Sequence, residues 1–253
     1  MRQVLFNIGP ISVYGYGLMI AVGVITAYMT AEYRGKKLGI DTHHLFSLAM
    51  WSLLGGFLGA KVLYWLTDIP AIIANPSILL NLSDGFVVYG GIIGGVATGF
   101  LLCKKKKLPF AENIDLVIPS VALAQGFGRI GCFLAGCCYG AETHSVFGVV
   151  FPDGSLAPTG ISLIPTQLFA SGLNFLLFGA LIIYAKRRHK TGQVAALYLI
   201  LYSAGRFVLE FLRGDAARGF IGVLSTSQLI AIVVFCVGCG VFVFQQISKP
   251  KRV

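Results

Sequence analysis

The sequence predicts an all-α, polytopic integral membrane protein with seven transmembrane helices. Of the 253 residues, 56% are hydrophobic and only 12% are charged, whereas a soluble domain carries roughly 25% charged residues. The chain therefore has too few polar side chains to cover a surface in water. Apolar segments of about 20 residues, the length that crosses a hydrocarbon core, also recur along the whole chain. The 32 glycines are typical of tightly packed membrane helices.

Seven apolar segments account for the predicted helices. They cover approximately residues 12–30, 45–66, 86–103, 115–134, 168–185, 194–212 and 225–244. The fourth segment is the least regular, because a glycine-rich stretch interrupts it. Residues 1–253 are predicted to form a single transmembrane domain. The N-terminus lacks the features of a cleavable signal peptide, so the first apolar segment is expected to remain as a span.

The basic residues predict the orientation of the chain. Fourteen of the twenty lie in alternate connections and in the C-terminal tail, namely Arg34, Lys36, Lys37, Lys104, Lys105, Lys106, Lys107, Lys186, Arg187, Arg188, Lys190, Lys249, Lys251 and Arg252. Only Arg2, Arg213 and Arg218 lie on the opposite side. The positive-inside rule makes the crowded side cytoplasmic. The N-terminus is then outside and the C-terminus inside, which requires an odd number of spans.

The connections also bear on partners. The net charge of +10 is distributed in short clusters between apolar segments, and this pattern argues against nucleic acid. The long connection at residues 135–167 holds no Lys or Arg but contains several prolines and glycines. It is predicted to form an extracytoplasmic lobe of turns and short strands.

Arg129 lies within a glycine-rich stretch that runs from Gly126 to Gly140. A charged side chain inside a bilayer costs about 2.5–3.5 kcal/mol on insertion scales. One interpretation is a clamp for phosphate, since a guanidinium binds phosphate in a bidentate, charge-assisted way. The alternative is a structural arginine whose head group reaches the interface. The surrounding glycines would let a ligand approach closely.

Arg206 and Glu210 are spaced i, i+4 on one predicted helix, so they can pair. The pair either holds helices together or positions Arg206 as a second phosphate contact. Two arginines that converge from different spans would make an anion site in the outer leaflet. Such a site favours a phospholipid head group as the ligand.

Two aromatic positions have a structural and a functional interpretation. Tyr89 precedes the glycine-rich motif that begins with Gly90 and Gly91. Tight helix packing explains these glycines, and Tyr89 either belongs to an interfacial aromatic belt or lines a cavity. Tyr16, near the outer start of the first span, is by default a residue of the same kind of belt.

The six cysteines give no metal site by sequence spacing. Cys236 and Cys239 lie inside an apolar span, and no His or second cysteine pair is placed to complete a zinc site with them. They are interpreted as small apolar residues. Cys132, Cys137 and Cys138 are predicted at or outside the outer membrane face, where oxidation is possible. No metal and no cofactor is predicted.

Several motifs together resemble a known family. In chain order they are Gly9-Pro10-Ile11, Tyr16-Gly17-Leu18, Tyr89 to Gly95, Gly128-Arg129-Ile130-Gly131 with Phe133, Gly136 and Gly140, Pro165 to Leu168, Gly205-Arg206-Phe207 with Glu210, and Ser227-Gln228. This combination resembles the bacterial prolipoprotein diacylglyceryl transferases over nearly the whole chain.

The resemblance implies a reaction and its partners. Enzymes of this family move the diacylglyceryl group of phosphatidylglycerol to the lipobox cysteine of preprolipoprotein signal peptides. A thioether forms and glycerol phosphate leaves, in lipoprotein biosynthesis at the bacterial inner membrane. The resemblance implies multi-pass localisation in that membrane.

The resemblance also assigns site residues. Arg129 and Arg206 would bind the phosphate, Glu210 would orient Arg206, and Tyr16 would line the cavity. The implied substrate-binding positions further include Gly90, Gly91, Gly131, Gly140 and, more weakly, Gln167. Arg129, Arg206, Glu210 and Tyr89 are the expected catalytic residues; Tyr89 would act through its hydroxyl group, or the base lies elsewhere.

The sequence departs from the family pattern at three polar positions. Tyr89 stands where many members have His, a proposed base, and Cys132 and Cys137 stand where the signature usually has Asn and Glu. Two alternatives to the transferase follow. One is a paralogue that binds or transfers phospholipid to a different acceptor. The other is a seven-span transporter or scaffold in which the arginines are structural.

Overall fold

The fold was analysed in a computed structural model that describes residues 4–9, 11–81, 85–187, 190–215 and 219–247. Eight α-helices dominate it: α1 (Gly15–Lys37), α2 (Leu45–Thr67), α3 (Ile69–Ala74), α4 (Val88–Lys105), α5 (Phe110–Ala135), α6 (Thr166–Ala185), α7 (Gln193–Glu210) and α8 (Thr226–Ile247). Three short antiparallel strand pairs accompany them: β1 (Val4–Ile8) with β2 (Ile11–Tyr14) before α1, β3 (Val149–Val150) with β4 (Ser162–Leu163) between α5 and α6, and β5 (Phe220–Ile221) with β6 (Leu224–Ser225) between α7 and α8.

The prediction of a helical membrane protein is confirmed at this level. Each of the seven predicted segments corresponds to one long helix within the described residues. Five of these helices, α1, α2, α5, α6 and α8, are long and apolar enough to cross a membrane. Helices α4 and α7 are the shortest of the seven, with 18 residues each. Helix α4 ends in Lys104 and Lys105, and α7 contains Arg206 and Glu210, so both carry charge near one end.

Two predicted boundaries differ from the structure. The first segment was expected to begin near residue 12, but residues 11–14 pair with β1 and α1 begins at Gly15. The predicted fourth segment is not broken by its glycines, because α5 continues through Gly126, Gly128 and Gly131 to Ala135. Gly126 and Gly131 each lie against a neighbouring ring, which explains their small size without a break in the helix.

The chain divides into two compact units, one formed by Glu32–Asn113 and the other by Met1–Ala31 with Ile114–Val253. In the first unit α2 packs against α4 through glycines. A Cβ on Gly59 would lie 2.9 Å from the Gly94 Cα, and one on Gly56 would lie 3.2 Å from the Gly91 carbonyl oxygen. The absence of side chains thus lets the two backbones approach closely.

The larger unit contains α5 from Ile114 onward, together with α6, α7 and α8. Its buried core includes Ala122 of α5, Leu177 and Leu181 of α6, and Val194 and Tyr198 of α7. The Asp115 carboxylate accepts hydrogen bonds from the backbone N–H groups of Gly192 (2.6 Å) and Ala195 (2.8 Å), which fixes the start of α7 against α5. Anions at a helix N-terminus are stabilised by its dipole.

The predicted lobe at residues 135–167 has its own small core. Phe151, Ala157 and Leu163 are buried there, and Phe133 packs against them from α5. The β3–β4 hairpin supplies the short strands that the sequence predicts.

Parts of the sequence interpretation fall on residues outside the described ranges. These are Pro10 of the first motif and the basic residues Arg2, Arg188, Arg218, Lys249, Lys251 and Arg252.

Candidate functional site

Arg129 lies on α5 beside a cavity of about 370 Å³. Apolar side chains of α6 and α7 form most of the wall, among them Leu173, Leu177 and Leu201. Within the described residues, no hydrogen bond or ion pair satisfies the Arg129 guanidinium. A half-buried cation without an acidic partner is the arrangement expected of a site that receives an anion.

Arg206 lines the same cavity from α7. Its Nη2 atom lies 2.8 Å from the Glu210 Oε2 atom and donates to the Ser227 hydroxyl at 3.1 Å. Glu210 is 2% exposed and accepts a further hydrogen bond from the Ser225 hydroxyl at 3.1 Å. The i, i+4 pair predicted from the sequence is therefore present, and it ties the end of α7 to the start of α8. Two arginines from different helices do meet at one cavity, as the sequence predicts.

Arg213 is a third arginine at this place, and the sequence interpretation missed it. It lies with Arg129 and Arg206 around a small cleft next to the cavity. Its Nη1 atom is 3.7 Å from Glu210, and its Nε atom donates to Asp215 at 2.8 Å, with a second ion-pair contact between Nη2 and the same carboxylate. The sequence contained one indication of this contact: Arg213 follows Glu210 by three residues, a spacing at which side chains on a helix can pair.

Gly140 allows the loop after α5 to reach the loop after α7. It pairs with Arg213 in an isolated antiparallel bridge, and its N–H donates to the Ile164 carbonyl at 2.9 Å. A Cβ on Gly140 would lie 2.6 Å from both the Ile164 Cβ and carbonyl oxygen and 2.7 Å from the Leu212 carbonyl oxygen. No side chain therefore fits at Gly140, a predicted site residue. Its bridge with Arg213 places that arginine at the cleft.

Gln167 is 1% exposed and lines the cleft with the three arginines. Its amide donates to the Cys137 carbonyl at 2.8 Å, while the Thr166 hydroxyl donates to the Cys138 carbonyl at 2.8 Å. The Gln167 Oε1 atom is buried and accepts no hydrogen bond within the described residues. The Nε2 atom of Gln167 therefore binds the backbone at Cys137, and its Oε1 atom remains as an acceptor beside the arginines.

Cys132, Cys137 and Cys138 form a thiol cluster, in which the three sulfur atoms all lie within 4.8 Å of one another. All three are free thiols. Cys138 lines the same cleft as the arginines. Its pKa lies well below the usual range of a thiol, because the Cys132 thiol hydrogen-bonds to it and because the Cys137 thiol and the charges of Arg129 and Arg213 lie close by. Cys138 also adopts a left-handed backbone conformation with φ of 61°, which costs a residue other than glycine roughly 1–2 kcal/mol.

Tyr16 and Gly131 are neighbours, but neither is among the residues that line the cavity or the cleft, so their contact with substrate stays a prediction. A Cβ on Gly131 would lie 3.2 Å from both the Tyr16 ring and the Tyr16 carbonyl oxygen. Gly131 thus lets α1 approach α5 two residues after Arg129. Tyr16 itself is 45% exposed.

Tyr89, Gly90 and Gly91 belong to the smaller unit. Tyr89 is 39% exposed near the start of α4. A Cβ on Gly90 would lie 2.5 Å from the Leu63 Cβ, and one on Gly91 would lie 3.4 Å from the Gly56 carbonyl oxygen. The structure thus supplies a packing reason for Gly90, whereas a Cβ on Gly91 would make only ordinary van der Waals contacts. Their predicted contact with substrate, and the predicted catalytic role of Tyr89, remain predictions.

Comparisons with known proteins agree with the site's chemistry. The family model described as prolipoprotein diacylglyceryl transferase matches residues 3–244. A phosphatidylglycerol–prolipoprotein diacylglyceryl transferase from Clostridium tetani is 49% identical over 244 residues, which cover 96% of this chain and 97% of the relative. A second such transferase, from Clostridium perfringens, is 46% identical and covers 100% of this chain and 98% of the relative.

A more distant relative with the same name, from Finegoldia magna, is 32% identical over 100% of this chain and 98% of its own length. The match extends over the three arginines and the loops that join them, since it covers almost every residue. The resemblance predicted from the sequence motifs is confirmed, and the chain belongs to the prolipoprotein diacylglyceryl transferase family.

Proposed function

We propose that this protein transfers the diacylglyceryl group of phosphatidylglycerol to the cysteine thiol of prolipoproteins. The observation that carries this proposal is the Arg129 guanidinium, which has no acidic partner within the described residues and borders an apolar cavity shared with Arg206. Family membership supports the same reaction, because the relatives bear the name of this transferase. The chain is accordingly a transferase, and the paralogue and transporter alternatives are not favoured.

In this proposal the protein crosses the membrane seven times. Helices α4 and α7 join the five that are long and apolar enough to cross a membrane. The N-terminus lies outside and the C-terminus in the cytoplasm, because the basic clusters alternate along the chain. The lobe at residues 135–167 then lies outside the cytoplasm, in a multi-pass protein of the bacterial inner membrane.

The cavity has an apolar surface and a charged surface, which match the acyl chains and the phosphate of a phospholipid. Leu173, Leu177 and Leu201 provide apolar wall for the acyl chains, and Arg129 and Arg206 provide charge for the phosphate. Two buried acceptors, the Gln167 Oε1 and Asn174 Oδ1 atoms, have no hydrogen-bond donor within the described residues. Hydroxyl groups of a glycerol head group are suitable donors for them.

The arginines act on the leaving group. When a thiolate attacks the glyceryl carbon, a sulfur–carbon bond forms and the carbon–oxygen bond to the phosphate breaks. The electron pair leaves on the phosphate oxygen, whose negative charge therefore grows in the transition state. Arginines held in place before the reaction stabilise that charge without reorganisation. Glu210 positions Arg206 for this task through the 2.8 Å ion pair.

A label-transfer assay tests the proposal. Purified protein in detergent receives phosphatidylglycerol labelled in its acyl chains and a peptide with a lipobox cysteine, and a peptide with Ser in place of that cysteine is the control. The cysteine peptide is expected to gain the label and the serine peptide to remain unlabelled. If the protein binds the lipid but labels neither peptide, the transferase proposal is wrong.

The predicted role of Tyr89 has its own test in the same assay. Replacing Tyr89 with Phe removes only the hydroxyl group. If that hydroxyl donates or accepts a proton during the reaction, the transfer rate falls on the order of 10²-fold or more. A wild-type rate in Tyr89→Phe would eliminate this role.

A further inference from the structure

The thiol cluster of Cys132, Cys137 and Cys138 has no role in the leaving-group chemistry described above. Three sulfur atoms within 4.8 Å of one another are the ligand set of a soft metal ion. Cys236 and Cys239 share one helix but do not belong to this cluster.

The backbone holds the three sulfurs together. Cys132 lies in the last turn of α5, and the Cys137 N–H donates to the Cys132 carbonyl at 3.1 Å, which closes the loop. Gly136 and Cys138 both have positive φ angles, 76° and 61°, so the chain turns sharply at each. Gln167 and Thr166 then fix the carbonyl groups of Cys137 and Cys138. These hydrogen bonds keep Cys138 in a left-handed backbone conformation that a residue other than glycine does not favour.

The distances suit zinc coordination with little rearrangement. A zinc–sulfur bond is about 2.3 Å, so two sulfurs in a tetrahedral site lie about 3.8 Å apart. The separations in the cluster are at most 4.8 Å, and rotation of the cysteine side chains closes a difference of this size. Three protein ligands leave the fourth zinc position open, as in zinc sites that act on a substrate.

We propose that Cys132, Cys137 and Cys138 bind a Zn²⁺ ion whose open fourth position takes the acceptor thiol of the prolipoprotein. Each cysteine that still carries its proton releases it to solvent on becoming a ligand. The acceptor thiol loses its proton in the same way when it binds the metal. Zinc undergoes no redox change, so no oxidant or reductant takes part. The identity of the acceptor thiol rests on the proposed function, whereas the metal site itself does not.

The thiol cluster is placed so that a bound zinc ion would hold the acceptor thiolate close to the arginines. Cys138 and the three arginines line one cleft, so a metal-bound thiolate would be held next to the groups proposed to bind the lipid phosphate. A zinc ion with four thiolates carries two negative charges, and Arg129 and Arg213 offset part of that charge. The sulfur lone pair would attack the glyceryl carbon as the phosphate oxygen departs toward the arginines. Nucleophile and leaving group are then organised from a single cleft.

Metal uptake by the purified protein tests the site without any activity measurement. Reduced, chelator-treated protein is titrated with Co²⁺, whose visible and charge-transfer absorption reports tetrahedral thiolate ligands, and Zn²⁺ is then added. We expect one equivalent of Co²⁺ to bind and Zn²⁺ to displace it. The variants Cys137→Ser and Cys138→Ser should each bind at least tenfold more weakly. The double variant Cys236→Ser/Cys239→Ser is the matched control and should bind as the wild type does.

Thermal unfolding of each variant identifies loss of fold. A cysteine variant that melts like the wild type and still binds Co²⁺ normally would overturn the site, as would a wild-type protein that takes up no Co²⁺. The acceptor role is tested by adding the lipobox peptide to the Co²⁺ form. The absorption should change with the cysteine peptide and stay constant with its serine counterpart, and a spectrum insensitive to both would overturn the acceptor role.

Transfer measurements then separate this inference from the proposed function. Chelation should lower the transfer rate at least tenfold, and Zn²⁺ should restore it. Full transfer by the metal-free protein would overturn the inferred role of zinc in binding the acceptor thiol and leave the transferase proposal intact. Normal Co²⁺ uptake without transfer in any metal state would contradict the transferase proposal and leave the metal site intact.

Discussion

Lys61 on α2 and Arg129 on α5 are both cations within apolar helices, but their surroundings differ. The Lys61 ammonium donates to the Asn81 carbonyl at 2.6 Å and lies 5.1–5.9 Å from the ring centroids of Tyr64, Trp65 and Phe86. These contacts replace the water that Lys61 loses on burial. Arg129 has neither a hydrogen bond nor an ion pair within the described residues, and it borders a cavity. The comparison teaches that two cations in apolar helices can differ in role, since Lys61 has its contacts within the protein whereas Arg129 is left to a ligand.

The glycines of the two units show the same contrast. Along α2 and α4 they face one another, and a Cβ on Gly55, for example, would lie 2.7 Å from the Thr98 Cβ. Along α5, a Cβ on Gly126 would contact the Phe175 ring, but one on Gly128 would meet nothing within 4 Å. Glycine motifs of similar appearance therefore let two backbones meet in one unit, whereas in the other they accommodate a ring at Gly126 and face open space at Gly128.

The largest expected effect belongs to Arg129→Ala. Loss of a phosphate contact that strengthens as negative charge grows on the departing oxygen costs on the order of 10²–10³ in rate, or about 2.7–4 kcal/mol. The transfer assay measures this effect, and thermal unfolding should show little change, because Arg129 has no described partner to lose. A transfer rate close to that of the wild type would contradict the claim that Arg129, unlike Lys61, acts on the lipid phosphate.

Lys61→Met is the matched test in the other unit. The substitution keeps an unbranched apolar side chain and removes the ammonium group, so the hydrogen bond to Asn81 is lost. A hydrogen bond to a charged group contributes about 1.5–3 kcal/mol, and unfolding in detergent should reveal a loss of this size. Transfer by the folded variant should remain at the wild-type rate. A catalytic defect without a change in stability would show that Lys61 is functional too.

Gly90→Ala tests the packing role of the α4 glycines. The added methyl group would meet the Gly59 carbonyl oxygen and the Leu63 side chain, so α2 and α4 must separate. Overpacking of this kind costs about 1–3 kcal/mol of unfolding free energy. Gly172→Ala on α6 is the control, since a Cβ there meets nothing within 4 Å. Equal stability of the two variants would argue against the packing interpretation.

The smallest expected effect is that of Thr166→Val, which removes the hydrogen bond to the Cys138 carbonyl. One such bond contributes about 0.5–1.5 kcal/mol to stability. Because this bond helps to hold Cys138 in its left-handed conformation, Co²⁺ affinity should also fall, while Thr226→Val, which loses an exposed hydroxyl contact with Gly219, should leave Co²⁺ affinity unchanged. Unaltered affinity in Thr166→Val would show that the loop keeps its shape without Thr166.

Hydropathy was sufficient to locate the long helices, because a span must be apolar over its whole length. It could not place the start of α1, since residues 11–14 are apolar enough for either a strand or a helix and pair with β1 in the structure. Nor could it show that α5 continues through Gly126 and Gly131, because the rings that pack against those glycines come from other helices.

The candidate site was predictable only where its residues are close in sequence. The spacing of Arg206 and Glu210 predicted their ion pair, which the structure contains. The meeting of Cys138 with Arg213 depends on the loop pairing at Gly140, which joins positions far apart in the chain. No local pattern reports such a contact, so the sequence placed Arg213 only as a loop residue and grouped Cys132, Cys137 and Cys138 without bringing them to the arginines.

The central claim is that the unsatisfied charge of Arg129 binds the lipid phosphate. The most direct measurement compares the affinity of the protein for phosphatidylglycerol with its affinity for diacylglycerol of the same acyl chains, in wild type, Arg129→Ala and Lys61→Met. We predict that wild type and Lys61→Met prefer phosphatidylglycerol by about tenfold or more, the value of one charge-assisted contact. Arg129→Ala should retain diacylglycerol binding and lose most of this preference. An undiminished preference for phosphatidylglycerol in Arg129→Ala would contradict the account.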